Sequence, residues 1–187
     1  MNEHQGQGRA EDSEPARRTV FVYDAPYALE GPELAVGDGL PDFELWQFRE
    51  GRGRLINREV VLDYQMPTLF CCLHSVDTRV GALQARRFEQ ILPRFDQRVM
   101  AFLVTSDMPF TQNRFSDHEM LAALTIASDY RGVFSRAFGV YLPDLMFLTR
   151  SVFIADTAGV IQHAEVVSEF THQPDYDAAI NVLGELV

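Results

Sequence analysis

Few residues in this chain are equipped for covalent chemistry, and several of them sit close together. Cys71 and Cys72 are adjacent near the end of an apolar run, and His74-Ser75-Val76-Asp77-Thr78 follows almost directly. A thiol reacts as its thiolate, which a helix N-terminus or a neighbouring cation favours. Asp77-Thr78 supply the N-cap of a helix, yet both cysteines belong to the strand before it and miss that stabilisation. Neighbouring strand side chains point to opposite faces, so a disulfide between the pair would be strained. Buried strand cysteines behave as small hydrophobes. A thiol nucleophile at Cys71 or Cys72 is the competing reading. The pair together with His74 lacks the repeated pattern of a zinc site, and His4, His118, His163 and His172 show no metal-ligand spacing. All sixteen basic residues are arginine, which excludes Schiff-base and lysine-dependent phosphate chemistry.

These residues need elements to position them. Residues 68–73 form a continuous apolar run of strand length, consistent with a buried central strand. Val80, Leu83, Phe88, Ile91, Leu92 and Phe95 follow at helical spacing. Residues 99–105 are a second buried strand. Ser116-Asp117-His118-Glu119 fits a capping box ahead of Met120, Leu121 and Leu124. Residues 133–138 form a short helix stopped by Gly139. Residues 151–155 and 160–167 make a hairpin around Asp156-Thr157-Ala158-Gly159. Pro174 opens a final helix with Tyr176, Ala179, Ile180 and Leu183 inward. Upstream, residues 19–29 read as a hairpin, 43–48 as a short strand, Gly51-Arg52-Gly53 as a turn and 55–62 as a weak strand. Strand, helix and strand followed by a hairpin and a closing helix make an α/β domain. A chain of 187 residues suits one domain. Residues 1–18, polar and charged, are expected to be a disordered tail before a single domain at 19–187.

Four colinear motifs resemble the bacterial thiol peroxidases, a branch of the peroxiredoxins. The run His74-Ser75-Val76-Asp77-Thr78-Arg79-Val80-Gly81 matches that family's Pro-Ser-x-Asp-Thr-x-Val-Cys, with His74 for the proline and Gly81 for the peroxide-reducing cysteine. Asp107-Met108-Pro109-Phe110-Thr111-Gln112-Asn113-Arg114-Phe115-Ser116 matches Asp-x-Pro-Phe-x-Gln-x-Arg-Phe-Cys, with Ser116 for the resolving cysteine. Phe138-Gly139-Val140 and then Arg150-Ser151-Val152-Phe153-Ile154-Ala155-Asp156 form the third motif. Residues 166–178, with Pro174-Asp175-Tyr176, form the fourth. The resemblance implies a thioredoxin-like peroxiredoxin fold: a central mixed β-sheet flanked by helices, with an N-terminal β-hairpin. It also implies a homodimer, and an arginine at Arg150 facing the peroxidatic position.

Peroxide reduction in that family is thiolate attack, followed by condensation of the sulfenic acid with a second cysteine. Gly81 has no side chain to attack with, and Ser116 cannot close a disulfide. The frame around them is kept: the helix start at Thr78 and, by resemblance, Arg150. The first expectation is therefore a homologue without peroxidase activity that binds, regulates or senses. Its candidate pocket is His74, Ser75, Asp77, Thr78, Gly81 and Arg150, suited to a small anionic or polar ligand. The second is a thiol-dependent peroxidase or oxidoreductase using Cys71 or Cys72. Each residue also has a plainer reading. Gly81 fits a tight helix start, Thr78 is a cap, Ser116 belongs to its capping box, Arg150 is a salt-bridged arginine and His74 a structural group. Asp77 caps the helix or orients Arg79.

Bulk properties narrow the partners. A net charge of −11 disfavours nucleic acid and anionic membranes, which need basic patches. No apolar run approaches a membrane span, and residues 1–18 have no secretory core, so the expected location is cytoplasmic. No cofactor is implied.

Overall fold

A computed structural model describes residues 18–49 and 51–187. The expected disordered tail at 1–17 lies outside the described residues. Arg18, placed with that tail by sequence, donates from its guanidinium to the carbonyls of Gly31, Pro32 and Gly139 at 2.8–3.1 Å.

The chain opens with an antiparallel hairpin, β1 (Thr19–Val22) and β2 (Ala25–Ala28). Its turn residues Tyr23 and Asp24 both have positive φ, 49° and 66°, the geometry that matches strand twist in a two-residue loop. The main sheet has seven strands: β3 (Glu44–Arg49), β4 (Arg52–Asn57), β5 (Thr68–Leu73), β6 (Met100–Thr105), β7 (Thr125–Ser128), β10 (Ser151–Ala155) and β11 (Ile161–Val166). Their order is β11-β10-β5-β6-β7-β3-β4, with β5, β6 and β7 parallel and the remaining pairs antiparallel. A small separate ladder pairs β8 (Tyr141–Leu142) with β9 (Phe147–Leu148).

Alternation along β5 divides the core. Leu69, Cys71 and Leu73 face helix α2 (Arg79–Ile91) and helix α5 (Tyr176–Leu186), packing with Ala85, Phe88, Ala179 and Leu183. Phe70 and Cys72 face the opposite layer, with Phe102, Phe134, Phe138 and Phe153. Period-2 geometry thus places the two adjacent cysteines in different cores.

Several boundaries differ from the sequence reading. Residues 55–62 are not one strand: β4 ends at Asn57, whose side chain accepts from the Val60 N–H at 3.0 Å and caps helix α1 (Arg58–Asp63). A local side-chain cap outweighs β-branched propensity there. Arg52 and Gly53 belong to β4 rather than to the turn. Residues 116–119 end a helix instead of starting one. Helix α3 (Pro109–Glu119) begins with Pro109, whose missing N–H costs nothing in a first turn, and closes at Met120 with φ 54°. Its carbonyl at Ser116 accepts the Leu121 N–H at 3.1 Å. Helix α4 (Val133–Ala137) ends before Gly139, as expected. Helix α5 starts two residues after Pro174, capped by the Asp175 side chain. On α2 the inward set is Gly81, Gln84, Ala85, Phe88 and Ile91, while Leu83 is 53% exposed. Among the described residues no helix is long and apolar enough to cross a membrane.

Candidate functional site

The start of α2 is held by hydrogen bonds from both directions. Thr78 is the N-cap: its Oγ1 accepts from the Gly81 N–H at 3.1 Å and donates to the Ser75 carbonyl at 3.0 Å. The Ser75 hydroxyl donates to Asp107 at 2.7 Å and the Val76 N–H to the same carboxylate at 2.8 Å. Thr105 completes this hub, donating to Asp107 at 2.8 Å while accepting from Gln112 at 2.9 Å. The motif residues Ser75, Asp107 and Gln112, distant in sequence, therefore fix one loop at residues 74–78. Asp77 points outward and pairs with Arg114 at 3.6 Å, both exposed, a contact of little energetic weight.

Gly81 sits against that loop with no room for a side chain. An ideal Cβ there would lie 2.3 Å from the Ser75 carbonyl oxygen, 2.8 Å from Thr78 Oγ1 and 3.1 Å from Leu73 Cδ1. Its backbone is ordinary helix, so glycine is required by close approach rather than by φ.

Arg150 is fully buried, and each of its three guanidinium nitrogens donates a hydrogen bond. Nη1 donates to Gln84 Oε1, and Nε and Nη2 donate to the Phe170 carbonyl at 3.3 Å. Burial pulls its pKa down, with Cys71 and Tyr176 acting in the opposite sense. The Gln84 amide in turn donates to Cys71 Sγ at 3.2 Å and to the Cys72 carbonyl at 3.3 Å. One glutamine thus links the buried cation to the strand that carries both thiols.

His74 is buried, 6% exposed, and neither ring nitrogen has a hydrogen-bond partner. Its ring lies 3.9 Å from that of Phe170 and 5.7 Å from Phe147. Burial, reinforced by the Arg150 cation, lowers its pKa to about 3, so it is neutral at physiological pH. The structural reading of His74 as an apolar-packed group is the one its surroundings favour.

Cys71 and Cys72 are free thiols, each 0% exposed. Burial pushes Cys71 up to about 12, partly offset by Gln84 and Arg150. Burial also raises Cys72 well above the usual thiol range, and Cys71 adds to the effect. Among the described residues no group of histidine, cysteine and carboxylate side chains could hold a metal.

The fold therefore gathers His74, Ser75, Thr78, Gly81 and Arg150 around the α2 start, with Cys71 behind them. Ser116 is half-buried on α3 and lines a different cavity of about 570 Å³ with Gln47, Arg49 and Thr125. That cavity is not lined by His74, Ser75, Asp77, Thr78, Gly81 or Arg150. The sequence reading missed Gln84 and Phe170, and quoted Asp107 in a motif without giving it a place in the site. Gln84 had a visible signal: a polar residue three positions after Gly81 on the inward face of α2. Phe170 had none, because it acts through its carbonyl and ring.

Residues 36–164 match the AhpC/TSA family. A thiol peroxidase from Bacillus subtilis (strain 168) is 33% identical over 164 residues, covering 87% of this chain and 94% of the relative. The crystal structure of a peroxiredoxin-like protein from Aquifex aeolicus superimposes with a TM-score of 0.81 at 29% identity, covering 91% of this chain and 98% of that one. A thiol peroxidase structure from Chromobacterium violaceum gives 0.76 at 24% identity, over 89% and 95% of the two chains. The fold is thioredoxin-like, of the peroxiredoxin type, with its central mixed sheet and N-terminal hairpin.

Proposed function

This chain belongs to the AhpC/TSA family, and from that premise we propose that it is a thiol-peroxidase-like homologue whose peroxide-reducing centre is inert and whose retained frame serves binding or regulation. The observation that carries this reading is the 2.3 Å between a Cβ at position 81 and the Ser75 carbonyl. The Ser75 carbonyl and Thr78 Oγ1 stand too close for a reactive side chain to begin at position 81. A helix N-terminus and a buried arginine stabilise a thiolate only if one is present. Here the Arg150 donors are met by Gln84 and by the Phe170 carbonyl instead.

The alternative, attack by Cys71 or Cys72, meets two obstacles. Both thiols are inaccessible, and both pKa values are shifted away from thiolate. A peroxide would have to enter a packed core to reach either one. A small anion at the α2 start faces a related cost, since it must displace Gln84 from Arg150. The binding role we favour is therefore a protein surface. A homodimer in the cytoplasm accords with the resemblance to thiol peroxidases.

The test is peroxide consumption coupled to a thiol reductant, run on the native protein, Cys71→Ser and Cys72→Ser. No catalysed consumption is expected in any of the three. Native turnover abolished by one of the serine variants would establish the alternative instead. Turnover that survives when the two substitutions are combined in one chain would refute the premise that sulfur is needed. Gly81→Cys with Ser116→Cys is not expected to restore activity, because the new side chain meets the Ser75 carbonyl.

A further inference from the structure

The sheet ends at β4, and this edge carries an unusual concentration of positive charge. Residues 49–58 hold four arginines and one glutamate in a chain whose net charge is −11. Strand β4 pairs only with β3, so its outer main-chain groups meet no strand among the described residues. Its first four residues are exposed.

Register puts the arginines together. Arg49 lies opposite Arg52, and Gln47 opposite Arg54. Residues directly opposite share a face of the sheet, so Arg49, Arg52 and Arg54 project from one side. Like charges directly opposite are destabilising, and none of these three has a carboxylate within ion-pair distance among the described residues. Arg54 meets only the Tyr64 hydroxyl, at 3.0 Å. The fold thus leaves a cationic pair uncompensated at an open edge.

Both faces of β4 are flanked by cavities. On the arginine face a notch of about 100 Å³ is lined by Arg49, Arg54, Ile56 and Tyr64. On the other face a depression of about 370 Å³ is lined by Phe43, Leu55, Asn57 and Val133 together with Asp42, Glu44, Arg58 and Glu59, so partner residues entering it are uncharged and the acidic ones face the arginines. A strand added beside β4 would send alternate side chains into these two recesses, the arrangement by which edge recognition gains specificity.

We propose that the β4 edge docks an extended acidic segment of a partner protein as an eighth strand, with acidic residues at alternate positions against Arg49, Arg52 and Arg54. Main-chain hydrogen bonds to β4 supply affinity, and the arginines supply sign selection and steering. A second copy of this chain is the wrong occupant, since β4 against β4 would bring arginines together. Charged edge residues also deter indiscriminate strand pairing, which is compatible with selection of one acidic partner. This inference is independent of the state of the α2 site.

Trp46, the only tryptophan, pairs with Leu55 and lies 3.8 Å from a Cβ position at Gly53, so its fluorescence reports on this edge. The probe is a capped heptapeptide of sequence Glu-Val-Glu-Thr-Glu-Val-Glu, titrated into the full chain at low salt. It is compared with its Lys-for-Glu counterpart and with an acidic peptide N-methylated at alternate amides. Saturable binding of the acidic peptide alone is expected, weakened roughly tenfold or more by Arg52→Glu with Arg54→Glu. A similar weakening is expected at ~1 M salt, where the screening length falls to ~3 Å. Should the double charge reversal fail to fold by circular dichroism, Arg52→Gln with Arg54→Gln replaces it, with a loss of roughly threefold or more expected. Absence of binding, equal binding of the lysine peptide, or indifference to the arginine substitutions would overturn the proposal. Equal binding of the N-methylated peptide would overturn strand addition by showing that charge alone suffices.

Discussion

Replacing Gly81 by alanine sets two opposed effects against each other. Within a helix alanine is favoured over glycine by up to ~1 kcal/mol, so propensity alone predicts a more stable protein. The added Cβ, however, would lie 2.3 Å from the Ser75 carbonyl and 2.8 Å from Thr78 Oγ1. Neither atom is free to retreat. The carbonyl accepts from Thr78, Thr78 caps Gly81, and the Ser75 side chain is held by Asp107. Relief requires main-chain movement, an overpacking cost of ~1–3 kcal/mol, together with weakening of a cap worth ~1 kcal/mol. The net expectation is a loss of roughly 1–3 kcal/mol, or a fall in Tm on the order of 2–12 °C for a chain of this size. Gly184, in α5 with nothing within 4 Å of its Cβ position, is the internal control. Gly184→Ala is expected to gain up to ~1 kcal/mol. Both variants can be followed by urea and thermal unfolding with Trp46 fluorescence. If Gly81→Ala stabilises as much as Gly184→Ala, the close approach of Ser75 and Thr78 does not exist as described and the steric argument against a side chain at 81 fails.

Three further outcomes follow from the same geometry. Iodoacetamide at pH 8 should leave Cys71 and Cys72 unmodified in the folded protein and alkylate both after denaturation, read by mass spectrometry; labelling of either folded-state thiol would contradict their burial. Gln84→Leu removes the acceptor of a buried guanidinium and should cost about 1.5–3 kcal/mol, measured by urea unfolding, whereas Gln84→Glu should retain the Arg150 contact and lose less. The His74 pKa is lowered from 6.5 to about 3, so its contribution to stability is whole above pH 6.5 and is lost as pH falls toward 3. That loss reaches roughly 2 kcal/mol by pH 5. His74→Phe should flatten the stability profile over this range. Asp129, raised by burial from 3.8 to about 6, acts in the opposite sense, its contribution being lost as pH rises through 6, and it cancels when the variant is compared with the parent.

Much of the architecture was legible because its signals are local. The uninterrupted apolar run at 68–73 read as a buried central strand, and it is one, buried along its whole length. Thr78 ahead of an amphipathic stretch marked the α2 start, and Gly139 after a short helix marked a stop. The errors fell where two local signals competed. Ser116-Asp117-His118-Glu119 has the letters of a capping box, but Pro109 had already opened a helix that runs through them. Asn57 ended a strand that β-branched residues would have prolonged. Leu83 fits a helical stripe counted from Val80, yet the inward stripe is counted from Gly81 through Gln84 and Ala85.

The sequence by itself determined that position 81 carries no side chain and position 116 no thiol, since these follow from covalent structure alone. It also determined that Cys71 and Cys72 point to opposite faces, because strand alternation is a property of the backbone. Only the tertiary structure decided what became of the space. Long-range contacts fixed the Ser75 loop against Gly81 through Asp107 and turned Arg150 toward Gln84 and Phe170. Each depends on packing between segments far apart in the chain, whose relative positions no local pattern encodes.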